Sequence, residues 1–376
     1  MVVAKSTYFA FAVGLSFGIF ATYVFVDYNS PEGSFARYNR KSSYKPSTTT
    51  TIFDDDDDEV HETAGLKTPS NQTKKLRKLP PIDFDVDLND THHKQSNKAK
   101  SLLKKVRVLC WVMTSPTNLP VKGKPVKETW GKRCDVLLFM SSKEDKSFPA
   151  VGLDVPEGHG KLWFKTRAAW QYVIDHHMDD ADWFLKADDD TYVIVENLKY
   201  LCSKYDPEKP HFFGRKFKMF GGYHSGGAGY VFSKETLRRF AKLLKDEKRC
   251  PLESFAEDVE VGRCLAKEGV SPGDTRDSRM RETFHPFPPE HHLIPGFLPK
   301  DFWYHQYNAW PIKDGTPECC ADHAITFHYI SPNMMYQMEY FVYHLRPYGI
   351  EHIDEEPKKL DARKRKRRTI SSQFMI

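Results

Sequence analysis

The chain has 376 residues, enough for one large catalytic domain with accessory segments or for two modest domains. Its net charge of +5 is misleading, because Lys358–Arg368 alone carries eight basic residues against Asp361 and leaves the remainder slightly acidic. That distribution excludes a nucleic-acid-binding body, and the 14% aromatic content supplies ample material for a core and for stacking surfaces.

In chain order, residues 1–7 read as a short cytosolic tail. Tyr8–Val26 follows as nineteen uncharged residues rich in Phe, Val, Ala and Gly, about the length that crosses a hydrocarbon layer of roughly 30 Å. A cleaved signal peptide would have a shorter apolar stretch and a small-residue cleavage site, which Tyr23-Val24-Phe25-Val26-Asp27 does not provide. Lys5 and the amino terminus precede the span, so the expectation is a type II anchor with the bulk of the chain in a lumen.

Residues 27–100 read as a disordered stem, with Thr48–Thr51 and Asp54–Asp58 in unbroken runs and few large apolar groups. Asn71-Gln72-Thr73 and Asn89-Asp90-Thr91 place glycosylation acceptors at Asn71 and Asn89 if this stretch is lumenal. A catalytic body is expected over 101–350 and a charged, disordered tail over 351–376.

From Val106 the pattern becomes α/β. Val106–Val112 reads as a buried strand, Val126–Lys132 as a short helix, and Val136–Met140 as a second strand. Lys161–Met178 has helical spacing, Trp183–Ala187 is a strand, and Val193–Tyr205 a further helix. Alternation of this kind predicts a mostly parallel, doubly wound, Rossmann-like sheet.

Seven cysteines in a lumenal chain suit an oxidising compartment. Cys110 and Cys134 flank the first β-helix-β stretch. Cys250 and Cys264 bracket a short acidic segment, and their pairing would close a loop of about fifteen residues. One of the vicinal Cys319 and Cys320 could reach Cys202, which leaves an odd thiol.

The strongest chemical signal is Asp188-Asp189-Asp190 at the end of the third strand. Carboxylates at the carboxyl edge of an α/β sheet offer hard oxygen ligands where nucleotides usually bind, and alternation turns Asp188 and Asp190 one way and Asp189 the other. An acidic turn or helix cap is the bland alternative. Glu257-Asp258 opens a helix, where the dipole favours acids for structural reasons alone. As chemistry, such an acid could take the proton of an acceptor hydroxyl on the face opposite a leaving diphosphate.

Ser225-Gly226-Gly227-Ala228-Gly229 allows close approach of a ligand or another backbone, and fits neither a phosphate loop nor a dinucleotide fingerprint. Alternation over Phe327-His328-Tyr329 sets His328 on the face opposite both aromatics. Its imidazole would complete a Mn²⁺-type donor set with the acids, although His291 and His292 compete for that place. Phe302-Trp303-Tyr304, Tyr307 and Trp310 could form a sugar platform or simply pack.

Taken in order, Asp182–Val193, Ser225–Tyr230, Glu257–Val259 with Gly262-Arg263-Cys264, Thr283–Phe287, Glu290–Ile294 and Phe327–Tyr329 resemble the core 1 β1,3-galactosyltransferases of glycosyltransferase family 31. The resemblance covers roughly 106–349. It implies a GT-A fold and inverting transfer of galactose from UDP-galactose to the 3-hydroxyl of α-linked GalNAc on Ser or Thr of a glycoprotein, in the Golgi. By the same resemblance Asp190 and His328 would bind Mn²⁺, with Asp188 helping to hold metal or nucleotide, and Asp258 would be the base. Met113, Lys165 and Tyr329 would lie near UDP, and Trp303, Glu257, Gly226 and Gly227 would shape the acceptor pocket. Family members often pair as homodimers. A Fringe-like N-acetylglucosaminyl enzyme or a glucuronosyl enzyme would use the same acids and His328. A non-catalytic chaperone relative would lack the aspartate triplet, which is intact here.

Overall fold

The computed structural model describes residues 97–254 and 256–349. The expected anchor at Tyr8–Val26, the glycosylation acceptors Asn71 and Asn89, most of the stem, and the basic tail lie outside the described residues. Among the described residues, no helix is long and apolar enough to cross a membrane.

Helix α1 (Asn97–Lys105) begins inside the last residues assigned to the stem and leads into β1 (Val108–Met113). Every residue of β1 is buried. Val108, Cys110 and Val112 enter one apolar cluster while Leu109, Trp111 and Met113 enter another. A strand covered on both faces needs a continuous apolar run, which is why no polar alternation marks it.

The expected helix over Val126–Lys132 is displaced. A π turn at Leu119–Gly123 runs into α2 (Lys124–Glu128), which stops at Thr129, and a 3₁₀ turn follows over Trp130–Arg133. Pro125 supplies the opening, being tolerated in a helix's first turn where its missing N–H is not needed. Thr129 leaves helical geometry at φ −107°, ψ −109°.

Next come β2 (Val136–Ser141), β3 (Ala150–Gly152), α3 (Leu162–His177) and β4 (Trp183–Asp188). Helix α3 buries Trp163, Ala169, Trp170 and Val173 on one face. Trp170 stacks on Phe232 with centroids 4.5 Å apart and meets the edge of Trp111 at 5.2 Å, which fixes the helix across the sheet.

After β4 a short strand, β5 (Tyr192–Val193), precedes α4 (Val195–Cys202). The helix expected over Val193–Tyr205 is therefore shorter at both ends; Val193 does not start it but pairs, with Tyr192, with a strand far along the chain. Then follow β6 (Phe212–Gly214), β7 (Lys216–Phe217), β8 (Tyr223–His224), β9 (Tyr230–Ser233) and α5 (Lys234–Leu244). Ser233 caps α5 by accepting a hydrogen bond from the Thr236 amide. The remaining elements are α6 (Glu257–Ala266), β10 (Phe284–His285), α7 (Pro289–Leu293), α8 (Trp303–Tyr307), β11 (Thr326–Phe327) and α9 (Pro332–Glu339).

The main sheet has the order β3-β2-β1-β4-β9-β6. Its first four strands are parallel, but β9 is antiparallel to both β4 and β6, so the sheet is mixed with a parallel core rather than parallel throughout. β10, β11 and β5 form a small second sheet that carries the Phe327–His328 stretch to the end of β4.

Cys110–Cys134 and Cys250–Cys264 are disulfide-bonded. Cys202 does not reach either of the vicinal cysteines. Cys319 and Cys320 are joined to each other, and Cys202 is the buried free thiol.

Candidate active site

β1 and β4 are neighbours in register, with Met113 opposite Asp188, and β2 lies on the other side of β1. The strand order thus reverses between β1 and β4, the position where α/β sheets open a crevice at the carboxyl edge. Three acids occupy it. β4 ends at Asp188, and a turn closed by the Thr191 amide on the Asp188 carbonyl (3.1 Å) carries Asp189 and Asp190.

Asp188 and Asp190 turn to one side and Asp189 to the other. Asp189 is buried and accepts a hydrogen bond from Thr114 Oγ1 at 2.7 Å; burial pushes its carboxyl up to about 6. Its role in the structure is to tie the turn to the end of β1.

β11 delivers His328 to the other pair. His328 Nε2 stands 3.1 Å from Asp190 Oδ1 and 3.8 Å from Asp188 Oδ2. Burial opposes ionisation of Asp190, but the adjacent imidazole overrides it and holds the carboxyl below its ordinary range. One ligand atom from each of Asp188, Asp190 and His328 can be chosen so that all lie within 4.8 Å of one another. Two carboxylate oxygens and one imidazole nitrogen suit a Mn²⁺-type ion, so the residues present fit the expected cation.

Among the described residues, His291 and His292 do not belong to this group. His292 is fully buried on α7, where its Nδ1 lies 3.1 Å from Asp314, and burial drives its pKa well below that of a free imidazole. His291 stacks on Phe297.

Tyr329 departs from the expected alternation. Its φ of 56° is left-handed, so the strand geometry stops at Phe327 and the Tyr329 ring folds back to 3.9 Å from the His328 ring. Phe287 lies nearly parallel to Tyr329 at 6.3 Å and contacts Trp303 at 6.1 Å. An aromatic path thus runs from His328 to Trp303, which is 38% exposed on α8.

The acid pair at the start of α6 faces the glycine turn. Asp258 Oδ2 accepts the Gly226 amide at 2.9 Å and Oδ1 accepts the Val259 amide at 2.8 Å. Burial raises the Asp258 pKa against these bonds. Glu257 is more deeply buried, and burial pushes its carboxyl up to about 7, partly countered by Lys186.

The glycines are required by proximity. A Cβ on Gly226 would lie 2.5 Å from Glu257 Oε1, and one on Gly227 would lie 2.1 Å from His328 Cε1. The turn therefore touches the imidazole on one side and the acid pair on the other. Thr191 Oγ1 donates to the Gly227 carbonyl at 2.8 Å and fastens the turn to the aspartate segment.

Met113 and Lys165 also sit at this edge. Met113 is buried and its carbonyl accepts the Asp189 amide at 3.1 Å. Lys165, buried on α3, donates to the Thr114 carbonyl at 2.8 Å and pairs with Glu157.

Sequence reading missed Lys186. Its side chain is only 2% exposed, yet the ammonium stands 2.6 Å from Asp188 Oδ1 and 3.0 Å from Glu257 Oε1. Burial opposes its charge, but the two carboxylates keep its pKa raised. The available signal was strand alternation: Lys186 lies two residues before Asp188 and so shares its face.

The model of Fringe-like proteins matches 112–272. The glycoprotein-N-acetylgalactosamine 3-beta-galactosyltransferase 1 of Xenopus laevis is 48% identical over 277 residues, which is 73% of this chain and 76% of that protein. The beta-1,3-glucosyltransferase of Homo sapiens is 30% identical over 201 residues, covering 50% of this chain and 37% of its own length. Among solved structures, galactosyltransferase LgtC in complex with donor and acceptor sugar analogs aligns at a TM-score of 0.37 and 11% identity, over 63% of this chain and 97% of that one.

Proposed function

Because the chain belongs to the family of glycoprotein-N-acetylgalactosamine 3-beta-galactosyltransferases, we propose that it moves galactose from UDP-galactose to the 3-hydroxyl of N-acetylgalactosamine α-linked to Ser or Thr of a glycoprotein, with inversion at the transferred carbon. The observation that carries this reading is spatial. One crevice holds a cation-type donor set, Asp188, Asp190 and His328, and across the glycine turn a separate acid, Asp258.

Asp188, Asp190 and His328 would hold Mn²⁺. When bound, the ion supplies Lewis-acid neutralisation of charge on a departing diphosphate. Everything else falls to the chain. Met113 and Lys165 line the edge where the nucleotide would lie, and the exposed Tyr329 ring beside His328 offers it a stacking face. Asp258 takes the proton from the acceptor hydroxyl as the new bond to the anomeric carbon forms. Its raised pKa brings it closer to the range in which a carboxylate serves as a general base near neutrality.

Two amide hydrogen bonds fix the Asp258 carboxylate without using all of its lone pairs, so acceptor capacity remains for an incoming hydroxyl. Trp303 and Glu257 would form the walls of the acceptor pocket, and Gly226 and Gly227 would keep its floor open. GT-A architecture over 101–350, a Golgi anchor at Tyr8–Val26, a disordered stem over 27–100 and a homodimer complete the proposal.

The test is a screen of UDP-sugars with Mn²⁺ against a GalNAc-Thr glycopeptide, with linkage analysis of the product. A β1,3-linked galactose from UDP-galactose is expected. Turnover with another UDP-sugar in its place, or with none, overturns the reading.

A further inference from the structure

An ammonium sealed inside a sheet is costly unless its protons are all taken. Lys186 has three partners. Asp188 Oδ1 at 2.6 Å and Glu257 Oε1 at 3.0 Å form ion pairs with it, and the Gly226 carbonyl accepts a hydrogen bond from it at 3.1 Å. These belong to different parts of the site. Asp188 ends β4 in the cation group, Glu257 opens α6, and Gly226 lies in the glycine turn. The amide of Gly226 in turn holds Asp258 Oδ2 at 2.9 Å.

We propose that Lys186 is a positioning residue that joins the two ends of the site, setting the distance between the carboxylates that would hold the cation and the acid that would accept the proton. The inference rests on the functional reading for the role of Asp258. The linkage itself is a property of the folded chain, and it has a consequence that can be measured without turnover.

Glu257 and Asp188 share one ammonium. Neutralising Glu257 leaves Asp188 as the only carboxylate drawing on that charge, so Lys186 competes harder with any cation placed there. Without Lys186 only the direct repulsion between the Glu257 and Asp188 carboxylates remains to pass the change along. Coupling of this kind is read by a double-mutant cycle.

The experiment titrates Mn²⁺ by electron paramagnetic resonance, in the presence of UDP, into wild type, Glu257→Gln, Lys186→Met and the double variant, each checked for near-UV circular dichroism. Glu257→Gln should weaken Mn²⁺ affinity by about three- to tenfold in the wild-type background and by less than about twofold beside Lys186→Met. Equal shifts in both backgrounds overturn the proposal.

Lys186→Met leaves two acids without the ammonium they share and could fail to fold, so Lys186→Arg supplies a second readout. Arginine keeps the charge, but its planar fork cannot serve three acceptors arranged around one nitrogen. It should lower kcat by at least about thirtyfold, with the KM for donor and Mn²⁺ affinity nearly unchanged, because the acid is misplaced while the cation group survives. A kcat within about threefold of wild type, or a loss that tracks Mn²⁺ affinity, refutes the positioning role. Wild-type protein that binds Mn²⁺ but transfers no galactose refutes the functional reading and leaves the cycle decisive. Wild type that binds no Mn²⁺ overturns both.

Discussion

Asp258 and His328 stand on opposite sides of one glycine turn, and their chemistry should separate cleanly when each is removed. Among the described residues Asp258 makes no hydrogen bond to the cation group; its two hydrogen bonds come from the Gly226 and Val259 amides. Asp258→Asn should therefore leave Mn²⁺-dependent UDP binding near normal and reduce transfer by about 10²- to 10⁴-fold, the usual share of a general base. Calorimetry with UDP alongside a transfer assay checks this, and a comparable loss of nucleotide affinity contradicts the assignment. His328→Ala predicts the reverse order of effects. With the nitrogen 3.1 Å from Asp190 gone, Mn²⁺-dependent UDP binding should weaken at least about tenfold. A metal titration that does not change removes His328 from the ligand set.

Among the elements, the glycine turn and the short strands decide how these groups meet. Gly227 is not in left-handed geometry, so alanine there meets no backbone strain; the obstacle is the His328 ring, 2.1 Å from where its Cβ would fall. Gly227→Ala should displace the imidazole and reproduce most of the binding loss of His328→Ala. In the double variant the clash is gone, so its melting temperature should exceed that of Gly227→Ala alone; additive destabilisation counts against the steric account. Helix α7 offers a pH test. His292 is buried neutral beside Asp314, with its pKa depressed by burial. Below about pH 6.5 the unfolded chain binds a proton there that the folded chain refuses, so this imidazole removes stability as pH falls, by up to about 1.4 kcal/mol per unit. Wild type should therefore lose ground against His292→Asn between pH 7.5 and 5 in urea melts, and a gain would refute this. The elements also show what the sequence could carry. β1, α3 and β4 were legible because long apolar runs and helical spacing leave little choice. β5, β10 and β11 are two residues each, too short for any period, and what makes them strands is pairing between distant segments: Phe284 with Thr326, and Thr326 with Val193. Asp188 and Asp258 were visible as acids at element ends. Lys186 was hidden by its setting, since a lysine inside an apolar strand looks like noise until its partners from α6 and the glycine turn arrive.

Across the whole molecule, two of the three disulfides divide labour along the same line as the proposed chemistry. Cys110–Cys134 lies in the parallel half, where β1 borders the crevice. Cys250–Cys264 instead fastens α6, whose first turn bears Glu257 and Asp258, to the segment after α5. In the loop-entropy account a closure of about fifteen residues contributes about 3 kcal/mol, and it acts on the element that carries the acid. None of Asp188, Asp190 and His328 belongs to α6. Replacing both cysteines, Cys250→Ala with Cys264→Ala, should thus free α6 to open before the rest of the fold, since local units unfold at energies below the global value. Transfer activity should then fall at temperatures where Mn²⁺-dependent UDP binding and far-UV circular dichroism still persist. Removing the other bridge, Cys110→Ala with Cys134→Ala, disturbs the strand beside the aspartates, so both readouts should decline together. If activity and nucleotide binding melt as one in the Cys250→Ala, Cys264→Ala protein, then α6 is not a separable unit, and the acid and the cation group share a single cooperative scaffold.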